Sequence, residues 1–97
     1  MATYGIVHRF PGGTKEQYDA SLAQVHPSDG SLPEGQTYHA AGSTGDGWVV
    51  IALWDSQESY ERFRDETLGP GFERLGDQGL PGPPQETTFE IHNEKQG

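Results

Sequence analysis

Four histidines, a tryptophan that closes an apolar run and a set of tyrosines are the residues here with chemistry to offer. There is no cysteine, which removes thiolate nucleophiles, thiolate-held metals and disulfides from consideration. Imidazole takes up and releases a proton near neutral pH, so each histidine is a candidate acid or base. His8 shares the even-numbered face of its segment with Tyr4, Ile6 and Phe10. That face must be covered by helices, so His8 is either a hydrogen-bonded core group or part of a pocket. Tyr38 and His39 point to opposite faces of a strand, and at most one of them joins any given pocket. His92 lies opposite Phe89 and Ile91 and is expected on an intersubunit face. His26 precedes Pro27 at a helix end, where a positive imidazole would complement the dipole. His8, His39 and His92 fall on three different strands with faces that disagree, and no H-E-x-x-H pair occurs, so no metal site is expected. Trp54 is a core residue, a pocket wall or both, since an indole stacks well on a flat ligand. Tyr4, Tyr18, His39 and Phe63 are the side chains expected to complete such a wall, with His8 as the catalytic base.

The scaffold for these residues reads as alternating strands and helices. Thr3 to Phe10 is rich in β-formers and stops at Pro11-Gly12-Gly13. Thr14-Lys15-Glu16-Gln17 has the capping-box form, and the helix behind it places Tyr18, Leu22 and Val25 on one stripe before ending at His26. A Pro- and Gly-rich loop leads to a second strand, Gln36 to Ser43. Thr44-Gly45-Asp46-Gly47 is a hairpin turn. The third strand, Trp48 to Trp54, is apolar at every position, so both of its faces must be covered. Asp55 or Ser56 caps a second helix with Tyr60, Phe63, Thr67 and Leu68 on its buried stripe, ended by Leu68-Gly69-Pro70. A short turn carrying Phe72 and Leu75 follows. Glu86 to His92 is the fourth strand, with Phe89 and Ile91 on one face and Thr88, Glu90 and His92 on the other.

The order β-α-β-β-α-β over residues 1–97, read as a single domain, is that of an α+β ferredoxin-like fold, a four-stranded antiparallel sheet with both helices on one face. The other sheet face is then bare beneath an all-apolar central strand. A second copy of the sheet is the physical remedy, so a homodimer is expected.

The junction Val50-Ile51-Ala52-Leu53-Trp54-Asp55-Ser56-Gln57-Glu58-Ser59-Tyr60-Glu61-Arg62-Phe63 resembles the dimeric α+β barrel superfamily, and within it the antibiotic-biosynthesis monooxygenase type. The motif spans about fourteen residues, and the element order extends the resemblance over nearly the whole chain. Members include cofactor-independent oxygenases of polycyclic aromatic polyketides, haem-degrading enzymes, small cyclases and isomerases, and proteins without known activity. The resemblance places Trp54 on a pocket wall and sets His8 near the first-strand Asn of the haem-degrading members. Many members carry a His nine residues after the Trp, the haem ligand in that group. Phe63 stands there in this chain, which argues against haem. The resemblance therefore implies an enzyme that oxidises or rearranges a flat apolar small molecule without a cofactor. The alternative is a non-catalytic ligand-binding or structural dimer, favoured by Phe63 and by the lack of any evident acid–base cluster.

Composition sets outer bounds. Fifteen acidic against six basic residues give a net charge of −9, which repels a phosphate backbone and makes nucleic acid an unsuitable partner. Only 31% of the chain is apolar, so an isolated 97-residue monomer is marginal, and burial against a partner subunit would help. Neither a secretory leader nor an apolar stretch of bilayer length is read, so a cytoplasmic location is expected. Gly12-Gly13 and Gly45-Asp46-Gly47 lack the dinucleotide-binding glycine pattern.

Overall fold

The expected order of elements is present in the computed structural model, which describes residues 2–81 and 84–95. β1 (Tyr4–Pro11), α1 (Lys15–Val25), β2 (Gln36–Thr44), β3 (Gly47–Trp54), α2 (Gln57–Phe63), α3 (Gly69–Leu75) and β4 (Gln85–Glu90) follow in turn. The strands lie in the order β2-β3-β1-β4, and every neighbouring pair is antiparallel. This is the ferredoxin-like arrangement. Among the described residues no helix is long and apolar enough to cross a membrane.

Local chemistry sets the helix boundaries. Both capping-box bonds of α1 form: the Gln17 amide donates to Thr14 Oγ1 at 3.2 Å, and the Thr14 amide donates to Gln17 Oε1 at 3.0 Å. α1 ends where Pro27 forbids its continuation, and the His26 amide closes the last turn on the Leu22 carbonyl at 2.9 Å. Ser56, the second of the two expected caps, starts α2 by accepting from the Ser59 amide at 3.1 Å.

Gly69-Pro70 does not end the second helix. The chain passes through a π-helical turn, Arg64–Leu68, directly into α3. The Gly69 amide donates to the Arg64 carbonyl five residues back. Pro70 has no amide hydrogen and would crowd a carbonyl four residues back in a regular α-helix. The wider turn just before it admits the ring without a break in the helical run. The actual stop is Gly76, whose φ of +54° only glycine adopts cheaply.

β4 also differs from expectation. It spans Gln85–Glu90, so His92 lies beyond the strand and is exposed in the single chain. Register sets the rest. Ile6 pairs with Thr88 and His8 with Glu86, so these β4 side chains share the helix-covered face, whereas Phe89 pairs with Gly5 and lies on the open face. The Phe89 ring rests where a Cβ on Gly5 would stand.

The core lies between sheet and helices. Ile6, Ala52, Trp54 and Tyr60 are its buried centre, with Tyr4 and Phe63 packed against them. On the opposite face Tyr38, Ile51 and Phe89 are 50%, 37% and 43% exposed in the single chain, so one face of β3 is covered within the chain and the other is not.

Candidate functional site

Between the sheet and the helices lies a cavity of about 270 Å³. Ile6, Phe10, Val50 and Ala52 form its floor, Leu22 and Val25 of α1 one wall, and Phe63 and Phe72 the other. Trp54 closes one end. The lining is largely apolar, with two hydrogen-bonded polar clusters set into it.

The first cluster joins β1, β4 and α2. His8 Nε2 lies 2.7 Å from Glu86 Oε2, the Tyr60 hydroxyl donates to the same oxygen at 2.8 Å, and the hydroxyl is 3.5 Å from His8 Nε2. The cross-strand pairing of His8 with Glu86 places the first two, and Tyr60 descends from the first turns of α2. The hydrogen bond from His8 holds the Glu86 carboxyl below its ordinary range, and Tyr60 and Arg64 act in the same direction against partial burial. An ionised carboxylate only accepts, so His8 Nε2 carries a proton, and the lone pair of a neutral ring is then the one on Nδ1. Burial, followed by the Glu86 carboxylate, raises the Tyr60 phenol, which therefore keeps its proton. The Arg64 guanidinium lies 5.8 Å from the centre of the Tyr60 ring.

The second cluster joins α1 and β2. The Tyr18 hydroxyl is 2.6 Å from His39 Nε2, and His39 Nδ1 is 3.1 Å from Gln36 Oε1. A register shift between Gln36 and Tyr38 makes this possible. Residues three apart on a regular strand face opposite sides, but the irregularity turns both Gln36 and His39 toward the helices. His26 stacks edge-on against His39, ring centres 4.7 Å apart.

His26 is accordingly not a positive group completing the helix dipole. Burial, helped by His39, lowers its pKa to about 4, and burial lowers that of His39 as well. The unfolded chain binds a proton on His26 near the ordinary 6.5, the folded chain only near 4. Stability contributed by the neutral ring is thus complete above pH 6.5 and lost as pH falls toward 4. Allowing for partial exposure of the ring, the loss amounts to about 1–2 kcal/mol. Urea midpoints at pH 7 and pH 5 check this: the wild type is expected to weaken at pH 5, and His26→Phe to weaken less. Equal midpoints for the wild type at both pH values would contradict it.

Of the side chains singled out from the sequence, His8, Tyr18, His39, Trp54 and Phe63 all border the cavity. Tyr4 does not. It packs on Tyr60, ring centres 6.1 Å apart, outside the lining. The faces of His8 and His39 agree rather than disagree, and His26 joins them, although among the described residues no three His, Asp or Glu side chains come together as a metal site. The acid–base cluster not evident in the sequence exists. Sequence pattern does not single out Glu86 or Gln36, and it places His26 at a helix end and Tyr60 in the core. Pairing β1 with β4 in register was the available signal for Glu86.

No family model matches the chain, and no curated protein does. Solved structures do. A putative antibiotic biosynthesis monooxygenase from Chloroflexus aurantiacus superposes with a TM-score of 0.66 at 17% identity, covering 98% of both chains. A monooxygenase from the ActVA-Orf6 gene of Streptomyces coelicolor, solved with the ligand nanaomycin D, gives 0.62 at 20% identity over 99% of this chain and 93% of that one. A dimeric ferredoxin-like protein of unknown function from Thermobifida fusca gives 0.63 at 12% identity over 93% and 92%. At such identities the likeness is one of fold. The chain therefore has the ferredoxin-like fold of the antibiotic-biosynthesis monooxygenase-like proteins, the group its strand-to-helix junction resembles.

Proposed function

We propose that this chain binds a flat, apolar, polycyclic aromatic molecule in the cavity and starts its oxidation by removing a proton. The observation that carries the reading is the His8–Glu86–Tyr60 cluster, a proton acceptor of defined tautomer set into an otherwise apolar wall. His8 Nδ1 accepts a proton from an acidic ring methylene or hydroxyl, and Glu86 stabilises the imidazolium that results. Trp54 and Phe63 hold the ring system and exclude water. For an anthrone-type methylene, the carbanion then transfers electrons to dioxygen. One oxygen atom becomes the new carbonyl, and the other leaves as water with the two methylene hydrogens. In this reading the substrate itself reduces oxygen, and no bound cofactor takes part. Anthrone is a suitable probe. Oxygen uptake matched one to one by anthraquinone formation, above the rate in buffer, is the expected result. Quenching of tryptophan fluorescence by anthrone with no catalysed uptake would instead establish the non-catalytic ligand-binding alternative.

The active unit in this reading is a homodimer. The apolar open face carrying Tyr38, Ile51 and Phe89 supports it, because burying that face against a second copy removes apolar surface from water. Light scattering should give twice the chain mass of 10.6 kDa. A monomer at micromolar concentration would refute the dimer.

A further inference from the structure

The polar group at the far side of the cavity has its proton assigned as firmly as the first. Gln36 Oε1 only accepts, so His39 carries its proton on Nδ1 and presents a lone pair at Nε2. Tyr18 must then donate its hydroxyl proton to His39, at 2.6 Å. With burial raising the Tyr18 phenol and lowering the His39 imidazole, both groups are neutral near pH 7. The Tyr18 proton is thereby committed. What the hydroxyl still offers is its oxygen lone pairs, which accept from no described residue. An oxygen in that state accepts a hydrogen bond and cannot donate one.

We propose that Tyr18, held by His39 and Gln36, is a specificity-determining contact that selects ligands bearing a second hydroxyl group across the ring system from the one that meets His8. The proposal rests on the reading of the cavity as an aromatic-ligand site and adds the ligand's substitution pattern. His8 on β1 and His39 on β2 flank β3, which separates them by roughly 10 Å. Their β3 partners, Val50 and Ala52, are two residues apart, which brings the Cα separation to roughly 12 Å. A frame of two to three fused rings spans such a gap. A carbonyl or ether oxygen at the Tyr18 end would face lone pairs with no donor between them, whereas a hydroxyl there donates to Tyr18 Oη. The preference is for an aromatic diol over its mono-ether.

Two probes separate these cases, 2,6-dihydroxyanthraquinone and its mono-methyl ether, with Kd read from quenching of tryptophan fluorescence. The wild type is expected to bind the diol about tenfold more tightly, the worth of one well-made hydrogen bond. In Tyr18→Phe the two Kd values converge. In His39→Phe the Tyr18 proton is released, the hydroxyl donates as well as accepts, and the ether recovers to within about threefold of the diol. Circular dichroism of both variants identifies any that fail to fold, and His39→Phe tests the same hydroxyl should Tyr18→Phe be one of them. Equal Kd values in the wild type, or an undiminished preference in a folded variant, would overturn the proposal while leaving the cavity reading intact. No binding of either anthraquinone by the wild type would overturn both.

Discussion

His8→Ala is expected to lower kcat for anthrone oxidation by about 10²–10⁴-fold, the usual contribution of a positioned general base. KM should change far less, because His8 is one polar contact in a cavity lined mainly by Ile6, Phe10, Val50, Trp54 and Phe63. Glu86→Gln separates proton acceptance from its electrostatic support. The amide oxygen can still accept from His8 Nε2 and hold the tautomer, but the charge that stabilises the imidazolium is gone. A loss smaller than that of His8→Ala is expected, because the proton acceptor itself remains. Side-chain exposure of 12% for His8 and 42% for Glu86 places the pair at the edge of the core, so both variants should fold. Urea midpoints close to the wild type confirm that. Turnover within threefold of the wild type in folded His8→Ala would remove His8 as the base and leave Glu86 or Tyr60 to account for the proton.

Trp54→Ala is expected to cost about 3–5 kcal/mol, enough to unfold much of the population. The side chain is 1% exposed and packs against Tyr60 and Phe63, with ring centres 5.7 and 5.1 Å away. Its removal leaves a hole at the junction of β3, β1 and α2 that those rings are too constrained to fill. Small domains hold only about 5–15 kcal/mol in total. With 31% apolar residues this chain belongs at the low end of that range. Trp54→Phe keeps the aromatic volume, and the indole Nε1 it removes has no hydrogen-bond partner among the described residues. That variant should lose less than about 1.5 kcal/mol. Thermal unfolding followed by circular dichroism distinguishes the two, since about 1 kcal/mol corresponds to roughly 4–8 °C at this size. A Trp54→Ala melting temperature within a few degrees of the wild type would mean that the core is centred elsewhere.

Several features follow from local rules that neighbouring residues settle among themselves. Thr14 and Gln17 satisfy each other's amides, Pro27 forbids another turn of α1, and Thr44-Gly45-Asp46-Gly47 supplies the residues of a hairpin turn. The unbroken apolar run of β3 places that strand in the middle of the sheet. The helix-covered position of His8 follows from its face of β1, whereas the pocket position of Trp54 was implied by the family resemblance. The end of the second helix did not, because a π-helical turn before Pro70 replaces the hydrogen-bonding pattern from which proline is read as a stop.

What the sequence by itself determined is the set of elements, their order along the chain and the helix-facing side of β1, since these depend on spacing within a few residues. What only the tertiary structure decided is the company those side chains keep. Glu86 is 78 residues from His8 in the chain and meets it through the β1–β4 register. Gln36 and His39 share a face only because β2 is irregular between them, and that irregularity appears as a shift in pairing with β3. The proton positions at both ends of the cavity follow from these meetings. A hydrogen-bond donor or acceptor has no fixed role until its partner is in place.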